Sequence, residues 1–361
     1  MGSQTSTRKV NIETLDTNVT DWVKATGFIH KDRTRNFKVF QSLKDIEICI
    51  CNKNWDKEPE NECKQIKVIK RIGSQSVAGE AYLVDIGGEM AVAKLMPLVD
   101  DKSENENKNE LKIAIIASDL VVSGKSQFFP LVYAVSECRD TLFNPNSPFY
   151  KRARMYAIRK HIEAQIDSRI GKKRFMALSR TKETLEDVVK VSMNPKSGGL
   201  NEPNTDYTVK SHVMIDELAW GDLGQYIQEN KNNMTVSMWD LIFLQVLMGI
   251  NDLQEKLGVV HHDLHQGNVL LSFHENNRVQ FLTCLIHDFG KSRIITPGDW
   301  RKNDRIIDVE IFFNAMLKNA PPQILEKMEY VKKNIIDPHP ENGSPILPEI
   351  LNYWGKGRSE M

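Results

Sequence analysis

The chain has 361 residues, enough to bury one large core or two modest ones. Lys plus Arg and Asp plus Glu number 48 each, so overall charge directs the protein neither to nucleic acid nor to an anionic membrane. A hydrophobic content of 40% and a charged content of 27% are those of an ordinary soluble globular protein, not of a disordered or fibrous chain.

In chain order, Met1-Gly2-Ser3-Gln4-Thr5-Ser6 fits the pattern for myristoylation at Gly2, with Arg8 and Lys9 close by. One such lipid gives only reversible binding, so the expectation is peripheral membrane contact. Residues 1–61 read as an N-terminal extension with weak strand-like alternation around Phe37 to Cys51 and a polar linker from Asn52 to Glu62. The five cysteines are odd in number and lack metal-ligand spacing, and no secretory signal or membrane span is evident. An intracellular, cytoplasmic location is expected.

A β-rich stretch follows. Lys67-Val68-Ile69, Ala81-Tyr82-Leu83-Val84 and Met90-Ala91-Val92-Ala93-Lys94 predict three strands, with a glycine loop (Gly73 to Gly79) before the second and the turn Gly87-Gly88 before the third. Ser103 and Glu106 have the spacing of a capping box, which predicts a helix through Leu111, Ile115 and Ile116 to Ser123-Gly124. Phe129–Val135 and Val213–Ile215 predict two more strands. Between them, 139–208 reads as an insertion. From Lys151 to Lys182 it holds eleven Lys and Arg against Glu163 and Asp167, and Ile158, Ile162, Ile166 and Ile170 recur at every fourth position. That predicts a basic amphipathic helix, serving either as a dock for an acidic protein, nucleic acid or phosphorylated surface or as a solvated face packed on the β-rich lobe by its isoleucines. From Asp222 the character turns helical. Thr235–Leu257 predicts a buried helix closed by Gly258, and Ile306–Phe313 predicts another. A β-rich half followed by a helical half implies two lobes with a ligand cleft at their junction.

The chemistry sits in Val259-Val260-His261-His262-Asp263-Leu264-His265-Gln266-Gly267-Asn268-Val269-Leu270-Leu271. This run resembles the H-x-D-L-x-x-x-N catalytic loop of the protein-kinase-like superfamily. Downstream, His287-Asp288-Phe289-Gly290 resembles that superfamily's D-F-G motif, and upstream Ala91-Val92-Ala93-Lys94 is similar to its V-A-I-K strand. The resemblance implies an α+β, two-lobed kinase-like fold over 62–345. Its upper lobe would be a small antiparallel sheet with one helix (62–215), its reduced lower lobe mainly helical (221–345), and 346–361 a C-terminal tail.

The resemblance also implies ATP and Mg²⁺ (Mn²⁺ as an alternative), with a protein substrate. Phosphoryl transfer needs positioning and charge neutralisation more than covalent chemistry. Asp263 would orient or accept the hydroxyl proton, and Asn268 and Asp288 would offer oxygen ligands to the metal. Lys94 would hold the α/β phosphates, itself fixed by Glu110. Gly73, Ser74 and Gly79 would approach phosphate, and the backbone of Asp216, Glu217 and Leu218 would meet adenine. Trp220 is either cleft wall or core. His265 stands where most Ser/Thr protein kinases carry Lys, and can still hydrogen-bond a phosphate. No A-P-E motif follows Asp288, and Asp304 or Asp308 would anchor the loop from the next helix. Trimmed domains of this kind resemble those of large DNA viruses, so packaging in a virion is one expected location. An atypical serine/threonine protein kinase is the first reading. A small-molecule kinase of the aminoglycoside or choline kinase type and a pseudokinase scaffold are the alternatives.

Overall fold

The computed structural model describes residues 15–41, 66–72, 79–139, 152–160, 210–341 and 343–356. In chain order the elements are β1 (Leu15–Asp16), α1 (Val19–Gln41), β2 (Ile66–Ile72), β3 (Glu80–Ile86), β4 (Glu89–Pro97), α2 (Asp101–Val122) and β5 (Val132–Arg139). A short helix, α3, spans 152–160. Then come β6 (Lys210–Glu217), β7 (Gly221–Asp222), α4 (Leu223–Asn230), α5 (Val236–Leu257), β8 (Val259–Val260), β9 (Val269–Asn276), β10 (Val279–Ile286) and β11 (Arg293–Ile294). The chain ends in α6 (Lys302–Met316), α7 (Pro322–Val331) and α8 (Leu347–Lys356). Two compact units result. One joins 43–108 to 133–216, and the other joins 1–42, 109–132 and 217–361.

The first unit is built on a five-stranded sheet in the order β2-β3-β4-β6-β5. β2, β3 and β4 pair antiparallel, as their alternation predicts, and Gly87 and Gly88 take the positive φ that the two-residue turn between β3 and β4 requires. The start of α2 differs from the sequence reading. Asp100, not Ser103, caps the helix. Its Oδ1 accepts from Ser103 N at 2.7 Å while Ser103 Oγ accepts from Asp100 N at 3.0 Å. The reciprocal pair is the same device set three residues earlier, because a carboxylate satisfies the orphan amides at least as well as a hydroxyl. Cys138, buried on β5, is disulfide-bonded, a feature that the expectation of an intracellular, cytoplasmic location does not anticipate.

The second unit is organised around α5. Thr235 Oγ1 accepts from Met238 N at 3.3 Å to start it, and Gly258 ends it with φ 65°, its amide donating to carbonyls of the last turn. The helix is long and apolar enough to cross a membrane, yet most of it is buried inside the unit. Gln245, which interrupts its apolar run, is wholly buried and fully used: Nε2 donates to Leu282 O at 2.9 Å and Oε1 accepts from Cys284 N at 2.8 Å. It thereby pins α5 across β10, in the sheet ordered β1-β10-β9-β7.

Two segments that the sequence left outside the domain belong to this core. In the supposed extension, α1 buries Trp22, Ala25 and Ile29 against Phe128, Leu241 and Phe281. Their spacing is helical, and Asn18 caps the helix by accepting from Thr20 N at 2.8 Å. In the supposed tail, α8 carries Trp354 onto Phe243 with ring centroids 5.1 Å apart, and Phe312 meets the same Phe243 ring at 5.0 Å. A Phe243→Ala variant should lose about 3–5 kcal/mol of stability, read as a lower midpoint in a denaturant titration.

Candidate functional site

The loop after β8 is held from below by one carboxylate. Asp308, on α6 and fully buried, accepts from His261 N through Oδ2 and from His262 N through Oδ1, both at 2.8 Å. Burial pushes its carboxyl above the ordinary range, and the two amides pull it the other way. Of the two aspartates that the sequence offered, Asp308 is therefore the anchor. Asp304 instead caps its own helix, accepting from Arg301 N at 3.1 Å. The anchor keeps His262 in the left-handed region (φ 63°), a conformation disfavoured for a non-glycine residue unless its surroundings impose it.

Above the anchor, His261 links the loop to the D-F-G segment. Its Nδ1 accepts from Asp263 N at 3.3 Å, so Nε2 carries the proton and donates to His287 O at 2.9 Å. Asn268 is buried. Its Nδ2 donates to Asp263 O at 2.9 Å, which turns the amide so that Oδ1 is the atom left to a cation. His287 N donates to Asn268 O at 3.1 Å, and His287 Nε2 meets Gly267 O at 3.1 Å. Asp263, Asn268 and the residue before Asp288 are thus tied into one network. Asp288 itself has φ 65°, a second strained position beside the first. The carboxylate of Asp288 and the Asn268 amide oxygen are hard donors of the kind Mg²⁺ takes together with substrate phosphates. No cluster of three or more His, Cys, Asp or Glu that could hold a metal ion occurs among the described residues.

His265 has a local task. Its Nδ1 accepts from Gly267 N at 3.0 Å and caps the short turn Gln266–Asn268, while Nε2 lies 4.0 Å from Asp263 Oδ2.

The segment Asp216–Leu218 has a partner that sequence reasoning missed. Glu217, buried, accepts from Arg33 of α1, Nε to Oε1 at 2.8 Å and Nη2 to Oε2 at 2.6 Å. Arg33 also donates to Gln127 O at 2.6 Å and Phe129 O at 2.5 Å, and Glu217 Oε2 accepts from Leu131 N at 3.1 Å. Leu218 is exposed. Trp220 meets Tyr226 and Phe273 edge-on at 5.4 and 6.1 Å, an aromatic packing role. The helical spacing of Trp22, Ala25 and Ile29 is the signal that marks α1. That Arg33 reaches Glu217, 184 positions away, has no local signature.

Glu110 is 4% exposed. Glu106 instead faces Lys102 at 3.6 Å on the helix surface. The neighbouring Asn109 donates from Nδ2 to Phe289 O at 3.2 Å and Ser292 O at 2.5 Å, fastening this turn of α2 to the D-F-G segment.

Within the sheet-bearing unit, Lys94 is half-buried on β4 opposite Ala81. A Cβ on Gly79 would lie 2.2 Å from Leu95 O, so close strand packing alone requires glycine there. Gly73 and Ser74 lie outside the described residues, as do Gly2 and most of the basic insertion. The part of the insertion that is described, α3, faces the acidic start of α2. Lys160 Nζ lies 2.5 Å from Asp101, Arg152 lies 3.5 Å from Asp100, and Tyr156 Oη donates to Asp101 at 2.9 Å and Glu104 at 2.7 Å. Burial and these two carboxylates push the Tyr156 hydroxyl far above its usual range. Ile158 is buried. This stretch of the basic face is therefore packed on its own unit.

The comparisons with known proteins agree with the geometry. Residues 205–318 match the family model described as protein tyrosine and serine/threonine kinase, a span that takes in Glu217, the catalytic loop, Asp288 and α6 but not Lys94 or Glu110. The chain is also 29% identical over 127 residues to a probable serine/threonine-protein kinase of Dictyostelium discoideum, a match covering 29% of this chain and 10% of that protein. The chain thus spans about a tenth of the length of that relative. It carries a protein-kinase-like domain with the α+β fold expected of one.

Removing the Arg33 guanidinium leaves Glu217 buried and unpaired. Arg33→Met should cost about 3–5 kcal/mol, and Arg33→Met with Glu217→Leu should recover most of it. Chemical denaturation of the four proteins of this double-mutant cycle measures both.

Proposed function

We propose that the protein is an ATP- and Mg²⁺-dependent phosphotransferase, an atypical kinase directed to serine or threonine hydroxyls. The observation that carries this reading is the hydrogen-bonded unit of Asp263, Asn268 and His287, which ties a partly exposed carboxylate to Asn268 and to the residue before Asp288. In this reading the acceptor hydroxyl meets Asp263, which orients it and receives its proton as the oxygen attacks the γ-phosphorus. Asn268 Oδ1 and the Asp288 carboxylate would hold the metal, which when bound neutralises charge on the phosphates. Lys94 would hold the α/β phosphates, and the backbone from Asp216 to Leu218 would receive adenine. Preorganisation of this kind acts without reorganisation at the moment of reaction.

The chain has a kinase's full set of reactive residues, Lys94, Asp263, Asn268 and Asp288, which speaks against a pseudokinase scaffold. A small-molecule acceptor is the second reading, favoured by His265 and by the short segment after Gly290. Control by phosphorylation just after Gly290 is not expected. Ser292 is buried and its Oγ donates to His261 O at 3.2 Å, so it already has a structural task.

Incubation with labelled ATP, Mg²⁺ and mixed protein and small-molecule acceptors tests the proposal. Asp263→Asn keeps the shape but loses the proton acceptor and should slow transfer by about a hundredfold or more. Asp288→Asn should weaken metal-dependent nucleotide binding. Wild-type behaviour in both variants would refute the assignment.

A further inference from the structure

The segment after Asp288 turns straight back to the catalytic loop and is pinned on both sides. Phe289 is buried, Ser292 N donates to Phe289 O at 3.0 Å, and Arg293 and Ile294 pair with Val260 and Val259. Asn109 holds the carbonyls of Phe289 and Ser292. Lys291 stands between these anchors, so its backbone position is set by its neighbours although its side chain is 60% exposed. From there Nζ donates to Asp263 Oδ2 at 2.9 Å. An exposed ion pair adds little stability, so the loop does not depend on it for its shape. What the contact does is bring a full positive charge to the carboxylate at which transfer would occur.

The histidine two residues after Asp263 lies farther from its carboxylate than Lys291 does. His265 Nδ1 accepts the Gly267 amide, and its Nε2 stands 4.0 Å from Asp263 Oδ2, beyond hydrogen-bond reach. From Val259 to Leu271 the loop holds no Lys or Arg, and the next segment provides one.

We propose that Lys291 is a catalytic residue of the phosphotransferase described above, the cation that stabilises the γ-phosphoryl group in transit; the proposal rests on that reading. The acceptor oxygen forms its bond to the γ-phosphorus and the bond from that phosphorus to the β,γ-bridging oxygen breaks. The electron pair leaves with ADP, and the hydroxyl proton passes to Asp263. Lys291 forms no covalent bond and moves no proton. As Asp263 gains the proton its hold on the ammonium weakens, and the ammonium turns to the γ-oxygens, where negative charge is concentrated.

Turnover, titration with a fluorescent ATP analogue and thermal melting of the full chain test this with Lys291→Met and Lys291→Arg, alongside Asp263→Asn as control. Lys291→Met should lower kcat on the order of 10²-fold, with nucleotide affinity and melting temperature close to wild type. Lys291→Arg keeps the charge and should keep most of the rate. A Met variant with wild-type kcat, an Arg variant as impaired as the Met variant, or a loss confined to nucleotide affinity overturns the role of Lys291 and leaves the phosphotransferase reading standing. Absence of turnover in wild type, or an unaffected Asp263→Asn control, overturns both.

Discussion

The functional loop depends on a single buried carboxylate. Asp308 meets two consecutive amides, those of His261 and His262, and so fixes the backbone at the residue before Asp263. A buried carboxylate needs such donors, and a left-handed histidine needs an outside constraint. Each satisfies the other's requirement. From that point a chain of hydrogen bonds runs through His261 to His287 and through Asn268 to Asp263, with His261 and Asn268 buried and Asp263 partly exposed.

The same principle recurs around Glu217. Arg33 spends its donors on a carboxylate and two carbonyls, all in a region where an unpaired charge would be costly. The helix that carries Arg33 is bound to the rest of its unit by an aromatic stack, Trp22 on Phe128 with centroids 6.0 Å apart, and by Asp32 at 3.0 Å from His274 Nδ1. A segment ahead of the recognisable motifs is thereby made part of the machinery that shapes Glu217 and its neighbours.

The stretch after Gly290 is tied to the rest of its unit through Arg305. Arg305 on α6 stacks over Trp300 at 3.7 Å, pairs with Glu255 at 2.5 Å and donates to Gly343 O at 2.9 Å. One side chain thus joins the stretch after Gly290 to the end of α5 and to the approach to α8. A short segment held in this way has little freedom to be ordered or released by a modification.

Much of the candidate site was legible in the sequence as local patterns. The spacing of His261, Asp263 and Asn268 lies within one loop, Asp288-Phe289-Gly290 follows a strand, and Thr235 and Gly258 mark the ends of α5 by their own conformational preferences. The strands β2, β3 and β4 followed from alternation and the Gly87-Gly88 turn. The α2 cap fell three residues from its expected place because both Asp100 and Ser103 are capping residues, and only the folded geometry assigns their roles. Tertiary structure alone decided the rest. That Arg33 meets Glu217, that Asp308 rather than Asp304 holds the loop, that Trp354 completes the core around Phe243, and that Lys291 reaches Asp263 are contacts between distant positions. Each is selected by the burial of a charge or a ring once the chain has closed on itself, and no local pattern encodes it.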